Sequence, residues 1–327
     1  MSITIVPYTS EREKEFDAFV VSSRNGTFFH TRKFLSYHPV GRFDDASLLF
    51  FEDHKLLGVL TAATRIESGE KRLVSHPGAT YGGLVMDALA GMRETGEMLD
   101  ALVAWAKQGG YRGISFLRLP LSILCRSRSD DLDYWLFQKG WTLTRMELST
   151  SYSLVGLREE TILDSFDRTA RNKVRQGQKV GLKMQWSEDF PIFWALLEKT
   201  LADRHGAKPT HTLEEIQRLH AIAPKDVRLF GVYEGSELIA GFVVFTMHPH
   251  ALYILYTGQN YAKIEMRPIP TLLAALFSEA LREGRTVIDF GISTEDGGTK
   301  VNDTLFQFKE SFGGQSVKRE SWELRFN

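Results

Sequence analysis

Phe230-Gly231-Val232-Tyr233-Glu234-Gly235-Ser236-Glu237-Leu238-Ile239-Ala240-Gly241-Phe242 is the stretch that decides the fold. Two apolar runs flank Glu234-Gly235-Ser236-Glu237, a turn whose residues tolerate a positive φ, so strands are expected at 227–233 and 238–246 as a hairpin. A third strand follows at 250–257. Upstream, residues 161–180 read as a helix with Ile162, Leu163, Phe166, Ala170 and Val174 on one side and a basic face opposite. A strand at 182–186 and helices at 190–201 and 212–222 come next, with Thr212 and Glu215 spaced as a capping box. Downstream, Pro268 and Pro270 introduce a helix over 271–282 that Gly284 stops, before a buried strand at 287–290. A helix at 303–312 and a strand at 317–324 close the half.

The first half repeats this order, with a strand at 3–6, helices at 11–21 and 31–37, and strands at 47–52 and 55–63. Leu49-Phe50-Phe51-Glu52-Asp53-His54-Lys55-Leu56-Leu57-Gly58-Val59 mirrors the later hairpin: a strand, an acidic turn, an apolar pair and a glycine. A strand at 81–85, a helix at 93–107 and a strand at 113–117 echo the rest. The pattern predicts a tandem duplication with its boundary near 154–160, giving domains 1–155 and 156–327. Each domain is expected to be α/β, a mixed and mainly antiparallel sheet flanked by helices.

The 327 residues hold 43% apolar and 25% charged side chains, enough for two buried cores. Forty basic residues oppose forty-one acidic ones, so no global field draws the chain to DNA or to an anionic membrane, and any polyanion site must be local. Cys125 is the single cysteine, which excludes an internal disulfide and cysteine-rich zinc sites and fits a reducing compartment. The start of the chain lacks a secretory pattern and no apolar run reaches membrane-spanning length, so a cytoplasmic protein is expected. The glycosylation-type triplets at Asn25 and Asn302 therefore carry no weight. His248-Pro249-His250 lacks the further ligands a metal needs, and no metal is expected.

Three segments stand out: Asn25-Gly26-Thr27-Phe28-Phe29-His30-Thr31 with Phe34-Leu35, the basic Arg171-Asn172-Lys173-Val174-Arg175-Gln176-Gly177-Gln178-Lys179-Val180-Gly181, and Leu305-Phe306-Gln307-Phe308-Lys309-Glu310-Ser311-Phe312-Gly313-Gly314 preceded by Asp289-Phe290-Gly291. Together they resemble the Fem-like group of GNAT acyltransferases. The resemblance implies tandem GNAT domains, an active site mainly in the second, and transfer of an acyl or aminoacyl group to an amine. It also implies that Lys309, framed by Phe306, Phe308 and Phe312, stabilises the tetrahedral oxyanion or the phosphate of the donor. Without the resemblance, Lys309 would equally suit a surface lysine whose stem covers the helix.

Arg171 and Arg175 stand four apart, so both guanidinium groups could grip one phosphate; the alternative is a solvated basic face. Tyr256, Asp289 and His38 are the candidates for moving a proton or contacting substrate, against structural roles such as an Asp289 cap on 291–293. His38 stands where Fem-type enzymes carry a lysine, which touches recognition of their nucleotide-sugar substrate. The donor is also open. Coenzyme A-dependent members hold pyrophosphate on a glycine-containing turn, whereas here Gly258 is followed by no further glycine before Pro268 and Pro270. Acyl-CoA is weakened as carrier and aminoacyl-tRNA gains, with a small-molecule, amino-sugar, peptide or cell-envelope amine as acceptor. A non-catalytic ligand-binding module that keeps the fold is the rival reading.

Overall fold

A computed structural model describes residues 3–120 and 129–326, so Cys125 lies outside the described residues. The chain forms two compact units, Met1–Glu147 with Asp296–Thr299 and Lys318–Asn327, and Leu148–Glu295 with Lys300–Val317.

The first unit contains β1 (Ile3–Pro7), α1 (Glu13–Ser22), α2 (Arg32–Leu35), β2 (Leu48–Glu52), β3 (Lys55–Leu60), β4 (Ala62–Glu67), β5 (Glu70–Ser75), β6 (Leu84–Met86), α3 (Met92–Gln108), β7 (Gly113–Leu117) and α4 (Asp131–Gln138). Strands β1, β2, β3 and β6 make one sheet in that order, and Met98, Leu99 and Leu102 of α3 pack with Leu48, Phe50 and Leu57 of its strands. The segment around Asn25 is a structural tie. The Asn25 amide donates to Leu84 O at 2.9 Å and accepts from Met86 N at 2.8 Å, and a Cβ on Gly26 would stand 2.2 Å from Val20 O. His30 completes the turn by accepting from Thr27 N, and burial lowers its pKa to about 4, which keeps it neutral.

The second unit begins in the latter half of β8 (Thr142–Ser153). It continues through α5 (Arg168–Lys179), β9 (Lys183–Ser187), α6 (Phe190–His205), α7 (Leu213–Ile222), β10 (Val227–Glu234), β11 (Glu237–His248), β12 (Ala251–Gln259), α8 (Pro268–Arg282), β13 (Val287–Ile292) and α9 (Asp303–Ser311). Its strands run in the order β9-β10-β11-β12-β13-β8. Every neighbouring pair is antiparallel except β12 with β13. The β10–β11 hairpin turns at Gly235, φ 60°, with Glu234 opposite Glu237.

Several elements differ from the sequence reading. The helix expected over 161–180 is a 3₁₀ segment, Glu159–Ser165, followed by α5. Asp167 makes the break, because its carboxylate accepts from Ala170 N at 2.7 Å as an N-cap. The strand β8 and the β4–β5 hairpin were not anticipated; their Thr, Ser and charged residues mute the alternation that marks a strand. The last strand, β14 (Gln315–Arg325), pairs antiparallel with β7, from Ser321 opposite Leu117 to Arg325 opposite Gly113, and so adds to the first unit.

The feature that positions the site is a splay. Strands β12 and β13 are paired only from Ala251 to Tyr253 against Val287 to Asp289. Beyond that point β12 carries a bulge, since Val243 faces Tyr256 and Val244 faces Ile254, leaving Leu255 without a partner. On the other side β13 slips against β8 between Asp289 and Ile292, where Gly291 sits at φ 70°. Both strands thus leave regular pairing just where they part.

Candidate active site

A cavity of about 590 Å³ occupies this parting. Ile254, Leu255, Thr257 and Gln259 of β12 form one wall, and Phe290 and Ile292 of β13 with Leu305, Phe308 and Lys309 of α9 form another. The head of α8, from Arg267 to Pro270, and Lys173 of α5 also line it. The charged lining side chains are Lys173, Arg267 and Lys309, and no carboxylate stands among the described lining residues.

Lys309 is 2% exposed. Its Nζ donates to Gly291 O at 2.8 Å and Ile292 O at 3.1 Å and lies 5.1 Å from the Phe290 ring centre. Burial lowers its pKa to about 7, with the Asp289 charge working in the opposite direction. An ammonium has three N–H donors and the two carbonyls take two of them, so one position stays available to a ligand in the cavity.

Asp289 is fully buried beneath this arrangement. Its Oδ1 accepts from Gly291 N at 2.9 Å and from Ser149 Oγ at 2.5 Å, which fixes the bend presenting the two carbonyls. The capping contact weighed from sequence is therefore present, and Asp289 is not among the cavity-lining residues.

Of the six candidate site residues Lys309, Tyr256, Arg171, Arg175, His38 and Asp289, Lys309 alone lines this cavity. Tyr256 follows the bulge, and its ring packs edge-on against Trp194 of α6. Its hydroxyl accepts from His211 N at 3.1 Å and meets His211 Nδ1 at 2.8 Å, in the connection between α6 and α7. Burial raises its pKa. His38 belongs to the first unit, where Nε2 lies 3.1 Å from Gly78 O among Tyr37, Phe43 and His76. Arg171 and Arg175 do share a helix face, but each is about 200° around α5 from Lys173, the residue that lines the cavity.

Lys173 lies in the basic segment 171–181 singled out from sequence, although the phosphate grip was placed on Arg171 and Arg175; Arg267 was not singled out. Gly177 was the available signal for Lys173. A glycine inside a helix marks a close approach, and a Cβ there would stand 1.9 Å from Thr271 Oγ1 and 3.1 Å from Met266 O. Lys173 lies four residues before it on the same face, which therefore meets α8. Arg267 holds a left-handed conformation, φ 56° and ψ 47°, ahead of Pro268. Its Nε donates to Gln176 Oε1 at 3.2 Å.

The head of α8 is where a coenzyme A pyrophosphate would be expected to meet backbone amides. Pro268 and Pro270 lack an N–H, so of the first three amides only that of Ile269 can donate, and the backbone does not make a pyrophosphate cradle. Among the described residues no group of three or more His, Cys, Asp or Glu could hold a metal, and no helix is long and apolar enough to cross a membrane.

Residues 164–309 match the acetyltransferase (GNAT) domain family. No curated protein matches the chain in sequence. Among solved structures, FemX covers 99% of this chain and 98% of its own with a TM-score of 0.76 at 15% identity. L-PGS from Bacillus licheniformis covers 98% and 92% with a TM-score of 0.57 at 14% identity. A tandem GNAT protein from the clavulanic acid biosynthesis pathway covers 99% and 98% with a TM-score of 0.56 at 8% identity. At these identities the likeness is one of fold, and it extends over the whole chain, whereas the family match falls on the unit that holds the cavity. Residues 164–309 thus match the acetyltransferase (GNAT) domain family, and the whole chain shares the tandem fold seen in FemX and in the tandem GNAT protein.

Proposed function

We propose that the cavity between β12 and β13 passes an acyl or aminoacyl group from an activated carrier to an amine. The observation that carries this reading is Lys309, a buried cation held by two carbonyls on the cavity wall with one N–H position left. In the reaction the neutral amine attacks the carrier's carbonyl carbon. A C–N bond forms, the C–O or C–S bond to the carrier breaks, and the proton lost from nitrogen leaves with the carrier or to water. Charged Lys309 donates its third N–H to the carbonyl oxygen as negative charge gathers there. Asp289 is assigned the role of holding the bend that aims Lys309.

The resemblance to Fem-type enzymes and the prolines at the head of α8 favour aminoacyl-tRNA over acyl-CoA as carrier. The acceptor is an amine of a small molecule, amino sugar, peptide or cell-envelope precursor, and a cytoplasmic site of action follows from those carriers. Labelled aminoacyl-tRNA and acyl-CoA, each offered with a panel of amines, test the reading. Labelled amide from one carrier, together with thermal stabilisation by that carrier at micromolar concentration, is expected. The absence of both stabilisation and amide with either carrier would overturn it.

A further inference from the structure

We infer that Lys173 and Arg267 form a side-chain clamp for the phosphate or pyrophosphate of the carrier, replacing the backbone cradle that the head of α8 cannot make. The clamp rests on the transfer reading for the identity of its anion, and its geometry is separate. Both cations line the one cavity, and no carboxylate among the described lining residues neutralises them.

They approach from different elements. Gly177 lets α5 press against the start of α8, since a Cβ at that position would also stand 3.2 Å from Arg267 O. Lys173 and Gln176, three apart, lie on neighbouring positions of α5, and Gln176 holds Arg267 through its Nε. That bond leaves the two terminal nitrogens of Arg267 for other partners. One of them reaches Glu265 at 3.2 Å, but Glu265 is 83% exposed, and a pair with so solvated a carboxylate offsets little of the charge. Lys173 has no ion-pair or hydrogen-bond partner among the described residues.

Arg267 also holds a left-handed backbone, uncommon for a residue with a side chain and worth its cost where a particular direction is needed. A planar guanidinium beside a compact ammonium suits a phosphate, the first by paired N–H bonds and the second as a point charge. Without N–H groups at Pro268 and Pro270, these side chains are the donors that remain at the place where a GNAT carrier's phosphates would enter.

Calorimetric titration with inorganic pyrophosphate tests the clamp without requiring turnover. Lys173→Gln and Arg267→Asn, the latter because asparagine tolerates the left-handed region, should each weaken binding about tenfold or more. Each should also reduce the dependence of that affinity on ionic strength, since one fewer cation faces the anion. Arg175→Gln, on the far side of α5, should leave both unchanged, and melting temperatures confirm that each variant is folded. Competition by coenzyme A or by uncharged tRNA then identifies which carrier supplies the phosphate.

Pyrophosphate affinity equal to wild type in both clamp variants would overturn the clamp, and so would a wild-type protein that binds none at millimolar concentration. Active wild type with unaffected variants would remove the clamp and leave the transfer reading standing. Clamp-dependent pyrophosphate binding with no transfer from any carrier would do the reverse.

Discussion

Lys309 Nζ donates to the carbonyl oxygen of Gly291 at 2.8 Å, and Gly291 can present that oxygen because it sits at φ 70°, where a residue with a Cβ is strained. A lysine on one element is thereby fixed by a backbone bend on another, and Asp289 secures the bend by accepting from Gly291 N. Gly291→Ala has space, its nearest neighbour being Tyr253 Oη at 3.5 Å, so the penalty is conformational. A loss of about 1–2 kcal/mol is expected in urea unfolding, with a larger fractional loss of turnover than of carrier affinity. A variant as stable and as active as wild type would show that the bend is not needed.

The buried position of Lys309 makes stability depend on pH. In the folded protein its pKa is about 7, whereas in the unfolded chain it returns to its ordinary value of 10.5. Between those values the unfolded state binds the extra proton, so this lysine's contribution becomes less unfavourable as pH rises through the window, and its cost is full below about pH 7. Wild type compared with Lys309→Met in urea at pH 7, 8 and 9 should show the gap in favour of the methionine variant shrinking by about 1 kcal/mol per pH unit. A gap independent of pH would mean that Lys309 stays charged when folded.

Gly177 reads out the contact that brings α5 to α8. Gly177→Val places its Cβ 1.9 Å from Thr271 Oγ1 and close to two backbone carbonyls, so the helices must separate. Overpacking of this kind costs about 1–3 kcal/mol. A drop in melting temperature accompanied by weaker pyrophosphate binding is expected; unchanged values for both would place the helix contact elsewhere.

How much of this was legible in the sequence follows from which signals are local. The β10–β11 hairpin could be read because Glu234-Gly235-Ser236-Glu237 states its own turn, and α7 because Thr212 and Glu215 form the capping box anticipated for them. The split at Asp167 was missed because an aspartate inside an apolar-periodic stretch can sit on a helix face or cap a new helix, and only the Ala170 amide decides between them. Lys309 was legible through its ring-flanked segment. Lys173 was legible only as one of a basic run and Arg267 not at all, since their convergence depends on the approach of α5 to α8. Tyr256 was chosen for its place near the end of the third strand, and a bulge at Leu255, which no local signal announces, precedes it where its ring packs on Trp194.

The segment around Asn25, taken from sequence as a family signature, should behave as a structural tie. Asn25→Ala leaves Leu84 O and Met86 N without their partner inside a buried region. A loss of about 2 kcal/mol or more is expected from two unsatisfied backbone groups. A shift below about 0.5 kcal/mol in denaturant unfolding would argue against that role.

The measurement that bears most directly on the transfer mechanism is the turnover of Lys309→Ala, with Lys309→Met as a companion that refills the space. Loss of one oxyanion-type donor costs on the order of a hundredfold in kcat, so both variants should fold, bind carrier and transfer about two orders of magnitude more slowly. Wild-type turnover in both variants, with carrier binding intact, would contradict a role for Lys309 in the reaction.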